Sequence, residues 1–397
     1  MTQPPARWTA LLSLACLGLF TAFYGPIQVL LGKQAELLAP EDKELALGVV
    51  VGLGAAFAVV ANPLFGALSD RTTWRLGRRL PWTAIGALGG VVSLGILAIA
   101  PNIAVMALGW CAAQLSLNAM FAALVAAVPD QVPTRQRGMV GGWLGAGQTL
   151  GIVAGSGLAA AVGGLTLGYL VCAGFLLIAT VPYLLLRRDT VLDPARRPPW
   201  RLRGFWISPR RHPDFGWAWL TRFLMNLGNA IAVVYLLYFL QDEVRYDDPD
   251  SGVFVLTAVY AVTLLSTVVA GGIWSDRAGR RKVFVCGAGL VMAVAALLLA
   301  FWPTWSGALV AAAVLGLGFG VYQSVDFALM TEVLPSEADR GRDLGVVNIA
   351  NTLPQVLAPV VAAPIVTHLG GYPVLYVLAA VAGTAGAVLV YRIRSVR

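Results

Sequence analysis

Twelve apolar windows recur along the chain, at about 8–31, 46–67, 82–100, 103–128, 139–161, 166–186, 216–240, 252–271, 283–301, 306–330, 343–366 and 371–391. Each matches the roughly 20 residues a helix needs to cross a hydrocarbon layer about 30 Å thick. A lone strand cannot pair its backbone N–H and C=O groups in lipid, so the windows predict helices despite their internal Gly and Pro. Composition agrees, because only 12% of the 397 residues are charged and 58% are hydrophobic, whereas soluble chains carry about a quarter charged residues. An all-α, multi-pass membrane protein follows. The first window is too long for a signal-peptide core and reads as a retained helix.

Basic residues orient the spans. With the N-terminus inside, the inner loops and both termini hold 24 of the 28 Lys and Arg, while Lys33, Lys43 and Arg245 lie outside and Arg222 lies within span seven. Such a bias places both termini in the cytoplasm and the chain in the cytoplasmic membrane of a cell. The net charge of +8 is thereby spread over inner loops, and no nucleic-acid partner is implied. A polar stretch at 187–215 contains "RRPPWRLRGFWISPRRHP". It separates an N-terminal six-helix bundle, 1–186, from a C-terminal one, 216–397, and reads as a solvated central loop rather than a lipid-headgroup anchor.

An internal repeat supports two bundles. "GALSDRTTWRLGRR" follows span two and "GGIWSDRAGRRK" follows span eight, with Asp70 and Asp276 206 residues apart. "PDQVPTRQRG" follows span four and "TEVLPSEADRG" follows span ten, their last glycines, Gly138 and Gly341, 203 residues apart. Two motif pairs at nearly one offset indicate a duplicated six-helix unit. Gly66 and Gly272 lack side chains and would permit close helix approach. Asp70 sits among Arg71, Arg78 and Arg79, and Asp276 among Arg277, Arg280 and Arg281, clusters suited to switchable charge-assisted bonds.

The S-D-R-x-G-R-R loops resemble the signature of the major facilitator superfamily, over the whole chain. The longer first copy, S-D-R-(x)5-G-R-R-x-P-W, is similar to that of the sugar–cation symporters, the glycoside–pentoside–hexuronide and sucrose–proton groups. The resemblance implies twelve helices in two pseudo-symmetric bundles, with these loops latching the cytoplasmic faces and helices one, four, seven and ten lining the cavity. Spans two and four carry no carboxylate, where melibiose-type permeases place cation-binding acids, so a sodium site of that kind is not expected.

Ionisable groups inside spans are costly and mark function. Two lie deep: Arg222 in span seven and Asp326 in span ten. They read equally as a proton-coupling site and as a buried ion pair. Amides fall into helical stripes: Arg222, Asn226 and Asn229 at i, i+4 and i+7, and Asn348, Asn351, Thr352 and Gln355 in span eleven. Thr21, Tyr24 and Gln28, at i, i+3 and i+7, lie beside a helix break at Gly25-Pro26 in span one, Gln114 and Asn118 are at i, i+4 in span four, and Gln148 and Gln323 stand in spans five and ten. With Tyr24, Trp110, Trp143, Tyr235 and Tyr322 they suit a neutral hydroxylated solute. The expected protein is a monomeric secondary transporter for a small molecule such as a sugar or glycoside, with H+ a candidate coupling ion and uptake or export both open. The alternative is a drug or metabolite efflux pump on the same fold.

No cofactor, metal or enzymatic chemistry is expected. Cys16, Cys111, Cys172 and Cys286 lie in apolar runs without metal-type spacing, His212 and His368 fall in loops assigned to opposite sides, and no HExxH, Walker or GxSxG sequence occurs.

Overall fold

The computed structural model describes residues 6–133, 137–193, 210–333 and 340–395. Among these the ordered elements are helical. In the N-terminal unit, Met1–Trp200, the spans are α1 (Ala6–Leu38), α2 (Lys43–Asp70), α3 (Leu80–Ala98), α4 (Ile103–Gln131), α5 (Arg137–Ala161) and α6 (Leu165–Leu185). In the C-terminal unit, Arg201–Arg397, they are α7 (Pro213–Val234 continued by Leu236–Asp242), α8 (Pro249–Ala278), α9 (Arg281–Phe301), α10 (Trp305–Glu332), α11 (Arg340–His368) and α12 (Gly371–Leu389). Eleven of the described helices are long and apolar enough to cross a membrane, and α7 makes a twelfth span when its two pieces are taken together.

Span seven, which reads as an uninterrupted window, is an interrupted helix, and so is span one, where the sequence shows a break at Gly25-Pro26. α7 bends by 43° at buried Tyr235, whose φ of −110° and ψ of 21° lie outside the helical range. α1 passes through a π turn at Pro26–Leu30, closed by Leu31 N–H donating to the Pro26 carbonyl. Pro26 has no N–H for the carbonyl of Ala22 and its ring crowds that carbonyl, so the regular ladder cannot continue there. Such single π turns are common at functional sites.

Helix packing relies on small residues. Gly147, Gly151 and Gly155 recur every fourth residue on α5, and a Cβ on them would stand 2.5 Å from the Ser13 carbonyl, 2.5 Å from the Leu17 carbonyl and 2.6 Å from Gly25 N. The backbones of α1 and α5 therefore touch, and Thr21 Oγ1 donates across to the Gly151 carbonyl at 3.3 Å. Lipid supplies no hydrophobic drive between helices, so close van der Waals approach of this kind holds spans together. Leu88, Val92, Ile178, Val262, Val381 and Val388 point outward and are exposed, as expected of surfaces that meet acyl chains rather than water.

Helix starts are capped where they emerge. Asn102 Oδ1 accepts from Val105 N at 3.0 Å, Asp248 Oδ1 from Ser251 N at 3.2 Å and Thr304 Oγ1 from Gly307 N at 3.1 Å. Each removes one of the unpaired N–H groups that every helix start leaves.

Candidate functional site

The loop between α2 and α3 is built around Arg79, which is 3% exposed. Its Nε donates to Asp130 Oδ2 at 2.7 Å, Nη1 to Ser69 Oγ at 2.5 Å and Nη2 to Asp70 Oδ1 at 2.6 Å. Arg78 reaches the same Asp130, through Nε to Oδ2 at 3.0 Å and through Nη2 to Oδ1. A planar guanidinium with five donors suits this sharing of acceptors. Burial alone would lower the basicity of Arg79, but its bond to Asp130 and the charges of Asp70 and Asp130 raise it. The ring nitrogen of Trp82 donates to Thr72 Oγ1 at 2.7 Å. Arg71 closes α2 as its C-terminal cap.

Open space surrounds Gly66 to 4 Å. Among the described residues a Cβ at Gly66 would meet no neighbour, whereas one at Gly271 of the second motif would stand 3.0 Å from the Val321 Cα of α10. The motif glycines that geometry demands are Gly77 and Gly279, with φ of 101° and 60°. Both hold left-handed backbone that a side chain would strain. Gly279 ends α8, its N–H bonding the Ser275 carbonyl at 3.0 Å, and α9 starts at Arg281. Arg277 and Arg280 are exposed and Arg281 is half-buried. The side chains at Gly272 and Asp276 lie outside the described residues, as does 334–339 of the second "PSEADRG" motif.

In the N-terminal unit an aromatic contact joins the polar faces of α1 and α4. Phe20 stacks on Tyr24 at 6.1 Å and meets Phe121 edge-on at 5.5 Å. Phe20, Tyr24 and Gln28 follow one another at four-residue steps, and Phe121 stands three residues beyond Asn118, so each set shares a helix face. Asn118 Nδ2 donates to the Gln114 carbonyl at 2.8 Å and to its Oε1 at 3.1 Å; both amides are buried. The Trp110 ring fills the space beside Gly54, its buried N–H without an acceptor among the described residues. Gln148 is half-buried on α5 and Trp143 is exposed.

The C-terminal unit gathers its deep charges into one network. Arg222 Nη1 pairs with Asp326 Oδ2, and Arg222 Nε donates to Asn351 Oδ1 at 2.8 Å. Asn226 Nδ2 donates to the Arg222 carbonyl at 2.8 Å and reaches Asn351 Oδ1 at 3.2 Å and the Tyr322 hydroxyl at 3.4 Å. Tyr322 stands one helical turn before Asp326 on α10. Three helices, α7, α10 and α11, thus meet through five side chains. Asp326 is 3% exposed, an environment where an unpaired carboxylate would be prohibitive. Asn229 accepts from the Tyr260 hydroxyl of α8 at 3.4 Å. Gln323 and Gln355 are exposed, and the Asn348 side chain lies outside the described residues.

In the sequence Arg222 and Asp326 stand out as a candidate pair, Asn226 shares a stripe with Arg222, and Asn351 belongs to a separate stripe in span eleven; the fold brings the four together. Asp130, Asp189, whose Oδ2 accepts from Arg79 N and Leu80 N, and Tyr260 do not stand out there. The acid of "PDQVP" beside an Arg-rich loop is the available signal for Asp130, whereas nothing local marks the other two.

The sequence model of the Major Facilitator Superfamily matches residues 9–270 and again 218–397. No curated protein matches the sequence significantly. The human organic anion transporter MFSD10 (TETRAN) superposes with a TM-score of 0.71 at 17% identity, covering 98% of this chain and 100% of that one. A point mutant of the nucleoside transporter NupG superposes with a TM-score of 0.77 at 13% identity, covering 97% and 99%. At such identities the likeness is one of fold.

Proposed function

The chain belongs to the major facilitator superfamily, and from that premise we propose that it is a secondary transporter that carries a small hydroxylated solute, a sugar or glycoside, by alternating access. We place it in the cytoplasmic membrane as a monomer with both termini inside. The observation that carries the reading is the network of Arg222, Asn226, Tyr322, Asp326 and Asn351. Its amides and phenol can exchange their mutual bonds for bonds to solute hydroxyls, which both donate and accept. Tyr24 and Gln28 on α1, with Gln114 and Asn118 on α4, offer the N-terminal unit the same chemistry, an aromatic face beside amides. The loops around Asp70 and Asp276 are the gates. A nucleoside, the solute named for one structural neighbour, also presents sugar hydroxyls.

Asp326 is the coupling group in this reading. A proton arriving on its carboxyl neutralises one partner of the Arg222 pair and frees the guanidinium for the solute, so proton and solute occupy the site together. Asp326→Asn in proteoliposomes is expected to abolish solute-driven proton movement while solute exchange persists; undiminished proton movement would sink the assignment. A thermal-shift screen against sugars, glycosides and cationic dyes tests the solute class, with stabilisation by a glycoside and none by dyes expected. The aromatic cluster of Phe20, Phe23, Tyr24 and Phe121 favours one other reading, export of an apolar drug or metabolite, and stabilisation by dyes alone would select it.

A further inference from the structure

Asp189 lies four residues beyond the end of α6 and takes part in none of the solute or proton chemistry. Its Oδ2 accepts from Arg79 N at 2.6 Å and from Leu80 N at 2.8 Å, while Oδ1 accepts from Thr190 N at 2.7 Å. The first two donors are N–H groups that the start of α3 leaves without helical partners. Neighbouring bonds run the same way: Arg78 N donates to the Thr190 carbonyl at 3.1 Å and Gln131 Nε2 to the Arg188 carbonyl at 3.1 Å. Residues 187–190 are therefore a strap tied to the first turn of α3 and to the end of α4.

Two backbone features show that the strap is held against strain. Arg187, which turns the chain out of α6, has φ of 46°, a conformation costing a side-chain-bearing residue about 1–2 kcal/mol. Such a cost persists only where the surroundings impose it. Gly77 takes φ of 101°, and a Cβ there would overlap the Asp189 carboxyl. The motif glycine is thus shaped to receive the strap.

The C-terminal half joins the same two places by different atoms. Lys282, in the first turn of α9 and opposite Leu80 in the repeated motif, donates its Nζ to the carbonyl of Ile393, just beyond α12. Asp214, in the first turn of α7, adds a separate tie to this segment by accepting from Arg394 N at 3.0 Å and Ser395 N at 2.8 Å. Recurrence of the junction with new chemistry argues that the connection itself, rather than one inherited residue pair, is what the fold requires.

We propose that Asp189 is a positioning residue for the Asp70–Arg79 loop: by fixing the backbone of Arg78 to Leu80 it aims both guanidiniums at Asp130 and Asp70. The consequence for transport rests on reading that loop as a gate. The strap itself does not, and it is tested without a solute. Both N–H donors of α3 share one oxygen, so an amide oxygen can replace it there, with loss only of the exposed bond from Thr190 N to the other oxygen; burial also pushes the Asp189 carboxyl up, against the pull of its N–H donors.

Hydrogen exchange is measured on the full-length purified protein, as wild type, Asp189→Ala and Asp189→Asn. Asp189→Ala is expected to speed exchange at 78–80 about tenfold or more, the effect of one lost buried bond, with 85–98 unchanged, and Asp189→Asn to remain within about threefold of wild type. A double-mutant cycle on thermal midpoints with Asp130→Asn supplies the readout that a simple helix cap would not move. Asp189→Ala should be clearly less than additive with Asp130→Asn, because a loop already released no longer presents its guanidiniums, and Asp189→Asn should be close to additive. Unchanged exchange in Asp189→Ala, additivity of the Ala variant, or equal coupling by Ala and Asn overturns the proposal. Failure of the gate reading would leave all three results as expected and show instead as normal transport by Arg79→Gln.

Discussion

Arg79 gathers three side-chain acceptors around one guanidinium that is almost wholly enclosed. Arg79→Ala would leave Asp130, itself nearly buried, with Arg78 alone. Removing one partner of a buried pair costs about 3–5 kcal/mol, so the thermal midpoint of the purified variant should fall by several degrees, with Arg79→Lys recovering only part because an ammonium cannot fork between acceptors. Arg78 and Arg79 were legible as candidates from the repeated motif. Their acceptors were not, because Asp130 lies 52 residues from Arg78 and Asp189 lies 110 from Arg79, and no periodicity spans such a gap. Arg222 and Asp326 are the opposite case. Two lone charges in apolar windows had to meet or remain unpaired in lipid, so the pair could be anticipated across 104 residues.

At the scale of the element, the glycines divide by what surrounds them. Gly151 packs on the α1 backbone, whereas Gly95 and Gly174 face open space. Gly151→Ala should destabilise by about 1–3 kcal/mol through overpacking, while Gly95→Ala should be neutral or stabilise by up to about 1 kcal/mol through helix propensity. Equal thermal midpoints for Gly151→Ala and Gly95→Ala would contradict this packing. Hydropathy fixed the extent of most spans to within a few residues, since lipid reads only length and apolarity. It missed the bend at Tyr235 and did not distinguish the π turn from an ordinary break at Gly25-Pro26, because both replace one set of helical hydrogen bonds by another without changing composition.

For the whole molecule, the bias of 24 basic residues to one side of the spans predicts that a C-terminal peptide tag is protected from added protease in intact spheroplasts and cleaved in inverted membrane vesicles. Cleavage in spheroplasts would reverse the topology. The duplication also reaches this scale, since the two motif offsets of 206 and 203 mark two units before any coordinate is known, and the chain divides between Trp200 and Arg201.

The sequence alone determined the solvent, the number of spans and the superfamily, because a bilayer imposes its thickness and polarity on every helix separately and so writes them into local composition. Tertiary structure alone decided which acceptors hold Arg78 and Arg79, which amides close around Arg222 and Asp326, and that residues 187–190 bind the start of α3. Those choices depend on which helix faces meet, and many pairings of faces satisfy the same apolar pattern. Only the fold selects the one in which the buried guanidiniums of Arg79 and Arg222 find their acceptors.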